Sequence, residues 1–182
     1  MKKYLFILFF ILLNSKVLAS IKGNIIYNLN NIDNIFFKFE QNINGKTENG
    51  ECIIQYPKKI FCKYNLKNKK ILVSNGKSLV IKSLSSYYLY PLDKTPLSLI
   101  LDKNFLIDAI NNSDGRIIED KFINYNFSEK DNEINIFFDK NTYELIGWQT
   151  LDIYQNLSIT FISSIVKNQK LKKNLFKIPK QN

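Results

Sequence analysis

Apolar positions recur along this chain in two rhythms, one near the N-terminus and another almost everywhere after it. Ile21, Ile25, Leu29 and Ile32 lie at helical spacing, with Ile26 widening the stripe and Asn28, Asn30 and Asn31 opposite, which predicts a helix over Lys22–Ile32. From Phe37 the period falls to two. Phe37, Phe39, Gln41 and Ile43 share one face of a strand, and further strands are predicted over Glu48–Gln55, Lys59–Asn65, Lys70–Ser74, Ser78–Lys82 and Ser86–Tyr90. A proline-punctuated apolar stretch then interrupts the strands. Thr95 can cap a first turn, Pro96 suits the first helical position, and Asn104 can cap a second short helix through Ile110. Beyond the turn Asn111–Gly115, alternation resumes over Arg116–Glu119, Lys121–Ser128, Glu133–Asp139, Tyr143–Ile153 and Leu157–Val166.

The pattern makes a mainly β chain of about eleven short strands with a few short helices, and that many antiparallel strands in a meander curl on themselves. The expected fold is an incomplete, half-open β-barrel whose concave apolar face is covered by the helices Lys22–Ile32 and Pro96–Ile110.

The N-terminus changes the picture by setting a compartment. Lys2 and Lys3, the apolar run Tyr4–Leu13 and the small-residue site at Val17-Leu18-Ala19 read as a secretory signal peptide over residues 1–19. The run is too short for a spanning helix, which needs about 20 apolar residues. Residues 20–182 are then expected to form a single domain. The full chain has 26 Lys and Arg against 16 Asp and Glu, and loss of Lys2, Lys3 and Lys16 leaves +7. All of these cations but Arg116 are lysines, interleaved with apolar positions; such a charge suits an anionic membrane or an acidic partner and argues against nucleic acid. With no His for general base work and no G-x-S-x-G elbow, an enzyme such as a secreted lipid hydrolase is not expected, and no cofactor is implied. Ser74 is explained by the Asn75-Gly76 turn that follows it, and Asp152 by a solvated strand position. What remains is a function built on apolar surface and its exposure.

The hairpin turning at Tyr56-Pro57-Lys58 indicates what the concave face carries. Its register sets Cys52 opposite Cys62 and groups Cys52, Ile54, Ile60, Cys62 and Tyr64 on one side, with Glu51, Gln55, Lys59 and Lys63 on the other; Ile53 and Phe61 break the rule. In an exported chain, opposed cysteines favour a Cys52–Cys62 disulfide, with two buried free thiols as the alternative, and they are too few for a metal site.

Taken in order, Phe37-x-Phe39-x-Gln41, Gly50, Tyr56-Pro57, Leu72-Val73-Ser74-Asn75-Gly76-Lys77, Tyr90-Pro91-Leu92, Thr95-Pro96-Leu97, Trp148 with Asp152, and Phe176-x-Ile178-Pro179 resemble the periplasmic outer-membrane lipoprotein carrier family, LolA. The likeness covers essentially the whole mature chain, and its most specific part is the Leu72–Lys77 segment ahead of the Thr-Pro helix. It implies an eleven-stranded incomplete barrel in the periplasm, a monomer whose apolar cavity holds the acyl chains of lipoproteins. Its partners would be acylated lipoproteins, an inner-membrane lipoprotein-releasing transporter and an outer-membrane acceptor lipoprotein. Phe37, Phe39, Ile54 and Ile60 would line the cavity together with Cys62, Tyr64, Leu79 and Ile81, and Leu97, Ile100 and Leu101 would form the lid. The family hairpin carries an Arg before its proline that latches the lid, whereas here Tyr56 holds that position. A phenol has one donor and no charge where guanidinium has five donors, so the tether falls to Tyr56 or a neighbouring Lys. A related half-barrel sensor or accessory protein that binds lipid or lipoprotein without shuttling it is the alternative.

Overall fold

The computed structural model describes residues 21–129, 132–152 and 155–181. The expected signal peptide lies outside the described residues. A helix over residues 21–30, α1, precedes six strands: β1 (Asn34–Ile43), β2 (Lys46–Gln55), β3 (Lys59–Tyr64), β4 (Ile71–Asn75), β5 (Ser78–Lys82) and β6 (Tyr87–Pro91). A 3-10 turn at Leu92–Lys94 leads into α2 (Leu97–Ile100) and α3 (Lys103–Asn111). Five strands complete the chain: β7 (Arg116–Ile118), β8 (Phe122–Glu129), β9 (Asn132–Asp139), β10 (Leu145–Leu151) and β11 (Leu157–Lys167).

All eleven strands belong to one antiparallel sheet in the order β6-β5-β4-β3-β2-β1-β11-β10-β9-β8-β7. Two meanders meet where β1 pairs with β11, and the sheet does not close, so β6 and β7 are its two edges. The chain from β6 to β7 must therefore cross from one edge to the other. That crossing contains α2 and α3, which is why the helices lie over the concave face.

Most of the core sits between that face and the helices. Ile21, Ile25 and Leu29 of α1 and Ile32 just after it are buried, as are Ile100, Leu101, Leu106 and Ile110. Lys103 Nζ donates to Ile32 O at 2.9 Å and Lys22 Nζ to Asn111 O at 3.2 Å, tying α1 to both ends of α3. The helix signals differ from expectation in two places. Asp102, not Asn104, caps α3 by accepting from Phe105 N at 3.3 Å. Thr95 Oγ1 donates to Leu92 O at 2.7 Å and so closes the 3-10 turn, while Pro96 takes the cap position of α2. Strand β10 starts two residues later than predicted because Tyr143 adopts a left-handed φ of 58° in a turn whose Asp139 carboxylate accepts from Asn141 N and Thr142 N.

Ile53 and Phe61 have a structural explanation. Phe36, Ile53, Phe61, Val73, Val80 and Leu89 are cross-strand partners in succession, forming an apolar row on the convex face. Val73 and Val80 are nonetheless buried. The C-terminal tail is anchored at both ends of this half of the sheet: Gln169 exchanges hydrogen bonds with Asn34 at the start of β1, Tyr87 Oη donates to Pro179 O at 3.2 Å, and Lys82 Nζ donates to Lys180 O at 2.8 Å. Between those anchors Leu175, Phe176 and Ile178 are half-buried.

Gly50 marks a tight point in the wall. A Cβ there would lie 2.2 Å from Lys63 O and 2.9 Å from Tyr64 Cα, both backbone atoms of the paired strand. Gly50→Ala is therefore expected to destabilise by about 2 kcal/mol, read as a lower urea midpoint at unchanged slope.

Candidate functional site

Alternation along each strand, repeated in register across the sheet, builds the concave face as rows. One row runs Phe37, Cys52, Cys62, Leu72, Ile81 and Tyr88 through five strand pairs, and beside it run Ile60, Ser74, Leu79 and Tyr90. Under α2 these rows enclose a half-open cavity of about 440 Å³, roofed by Pro96, Leu97 and Ile100. A volume of this order lies in the range of about 300–1,000 Å³ seen for sites that bury a small organic ligand.

Of the predicted lining, Phe37, Phe39, Ile60, Cys62, Tyr64, Leu79 and Ile81 reach the cavity, together with the predicted lid residues Leu97 and Ile100. Ile54 and Leu101 do not line it. Both are wholly buried in the core behind it, because alternation assigns a face but not a depth beneath the helices. Trp148, Leu72, Tyr88, Tyr90 and Ile43 also line the cavity and were not predicted. Phe37 meets Trp148 edge-on at 6.1 Å between ring centroids, and Phe39 meets Tyr64 edge-on at 5.0 Å. Cys52 and Cys62 are joined by a disulfide in the middle of this wall, with Cα atoms 4.1 Å apart.

The side nearest β1, β11 and β10 is polar. Gln41 pairs in register with Thr160 and Ile43 with Ser158, and Trp148 and Thr150 continue the two rows onto β10. Gln41 Nε2 donates to Ser158 Oγ at 3.0 Å and Thr160 Oγ1 at 3.2 Å, and its Oε1 accepts from Tyr64 Oη at 3.4 Å. Lys70 pairs with Glu48 and sits 4.2 Å from the centre of the Tyr64 ring. Burial, reinforced by the Glu48 carboxylate, pushes the Tyr64 phenol far above its ordinary range, so it stays protonated.

Tyr56 occupies the position predicted for the latch, and it does not serve as one by hydrogen bonding. Its side chain packs against the core, and its hydroxyl makes no hydrogen bond among the described residues. Lys58, two residues on, touches the helices twice: its backbone N–H donates to Leu101 O at 2.8 Å, and its Nζ lies 3.1 Å from the Asp102 carboxylate. A left-handed φ of 65° turns that N–H toward α2, and Ser74 Oγ holds the Lys58 carbonyl at 3.0 Å. Both partners of the ion pair are partly exposed, so it contributes about 1 kcal/mol at most. With Asp102 also serving as the α3 cap, Asp102→Ala is expected to speed hydrogen exchange of α2 and α3 amides about tenfold, while Tyr56→Phe leaves it unchanged.

An unclosed antiparallel sheet curled about an apolar cavity, with short helices crossing from edge to edge, defines a half-barrel binding fold. The sequence profile described as outer membrane lipoprotein carrier protein LolA matches residues 30–179, and the chain belongs to that family. No curated protein sequence matches it. Among solved structures, an uncharacterized conserved protein from Thermus thermophilus is similar at 6% identity and a TM-score of 0.50, covering 90% of this chain and 94% of its own. MucB is similar at 7% identity and a TM-score of 0.50, covering 90% of this chain and 63% of its own. A LolA superfamily protein from Nitrosomonas europaea aligns at 8% identity and a TM-score of 0.45 over 88% of this chain and 97% of its own. At such identities the likeness is one of fold. Among the described residues, no helix is long and apolar enough to cross a membrane.

Proposed function

We propose that this chain is a periplasmic carrier that takes the acyl chains of lipoproteins into its cavity and moves them from an inner-membrane releasing transporter toward the outer membrane. One observation carries this reading: the continuous apolar lining from Phe37 to Tyr88, open to the outside and roofed by α2. Each buried methylene of an acyl chain is worth about 0.8 kcal/mol, so such a chain crosses water only inside a lining of this kind. Loading and release require a cover that opens at modest cost, and the Lys58 contacts are of that size.

The protein purified with its cargo from the periplasm is expected to carry acylated lipoprotein in native mass spectrometry. A consistently empty protein that binds no lipid would remove the proposal. Transfer of the bound cargo to acceptor membranes is the second expected result, and stable binding without transfer would instead favour the sensor reading.

A further inference from the structure

The polar corner of the cavity asks for a ligand that is not apolar throughout. Ser158, Thr160 and Thr150 are 5%, 3% and 9% exposed, yet all three line the cavity beside Gln41. The Gln41 amide donates to two of them, so the Ser158 and Thr160 oxygens act as acceptors and their O–H protons remain available. Among the described residues neither hydroxyl donates a hydrogen bond. The corner thus presents O–H donors in the same cavity as the apolar rows.

We propose that Gln41, Ser158 and Thr160, with Thr150 and Tyr64 at their flanks, form a subsite for the uncharged carbonyl-bearing linkage of an acylated ligand, its glyceryl ester or amide, while the alkyl chain lies along the Phe37 row. This rests on the acyl-binding reading and adds which head the cavity accepts. Charge decides against an anionic head. The lysine at the cavity wall, Lys70, is already paired with Glu48, and Asp152, whose carboxylate accepts from Asn156 N and Nδ2, lines the same side. A free carboxylate or phosphate placed here would lose its water without gaining an unpaired cation, whereas an ester carbonyl needs only the hydroxyl donors. A cationic head would leave the hydroxyl donors unused.

The test displaces a fluorescent apolar probe, N-phenyl-1-naphthylamine, from the purified mature protein with three surfactants of equal chain length: monolauroylglycerol, laurate and dodecyltrimethylammonium. Monolauroylglycerol is expected to displace it at about tenfold lower concentration than either charged compound. Gln41→Leu and, separately, the near-isosteric Thr160→Val are expected to erase most of that preference, each read as the ratio of the three displacement concentrations against that variant's own probe affinity. Equal displacement by all three, or a preference for laurate or the cation, would overturn the subsite and leave the carrier reading standing. No binding of the probe or of any surfactant would overturn both.

Discussion

Replacing Phe37 by Ala is expected to lower the unfolding free energy by about 3–5 kcal/mol, the largest single effect anticipated for a side chain in this wall. Phe37 is fully buried on β1, the strand joining the two meanders through its pairs with β2 and β11. Its ring stands edge-on to Trp148 across that seam. Removing it deletes apolar contacts on both sides and enlarges a cavity that already exists, and neighbours anchored in a sheet cannot collapse into the space. The measurement is equilibrium urea denaturation of the mature protein. A loss below about 1 kcal/mol would mean that the wall relaxes around the gap and that the seam does not depend on this ring.

Breaking the Cys52–Cys62 link comes next. The bridge spans 10 residues in sequence, and closing a loop of that size in the unfolded chain corresponds to about 2–3 kcal/mol. Cys52→Ala with Cys62→Ala removes the bridge without leaving reactive thiols in the cavity wall, and its unfolding midpoint is expected to fall accordingly. If the effect acts through the unfolded chain, the denaturant slope of the double variant rises slightly, because the unlinked chain expands further. An unchanged midpoint would show that the hairpin around Pro57 holds its register unaided. The same comparison made with reductant on the native chain separates the bond from the side chains.

The strands are largely legible in the sequence because two-residue alternation is a local signal. Phe37-x-Phe39 share a face by alternation along their own strand, and the opposed cysteines can be placed on the inner face from the hairpin alone. Depth is not legible. Ile54 and Ile60 are cross-strand partners with the same chemistry, yet only Ile60 meets the cavity, since what covers Ile54 depends on where the helices dock. The α3 cap lies two residues from its expected place because Asp102 and Asn104 are both good caps in isolation; the Lys58 contact adds a partner for Asp102 from a distant hairpin. Gln41 belongs to the inner face by alternation, but its meeting with Ser158 and Thr160 depends on β1 pairing with the last strand, which no local pattern encodes. Ile53 and Phe61 look like exceptions only until the register aligns them with Val73 and Val80 in one convex row.

The link from β6 to β7 has a mechanical consequence. It is tied to both free tips of a curved sheet, as a string is tied to a bow. Its length limits how far the tips can part, so curvature and access become functions of one connector. Glycines inserted after Asn111 would slacken that string without altering a single cavity residue, and shortening it would draw the tips together. The geometry therefore offers a handle on how wide a guest the sheet admits, set by chain length and independent of the chemistry of its lining.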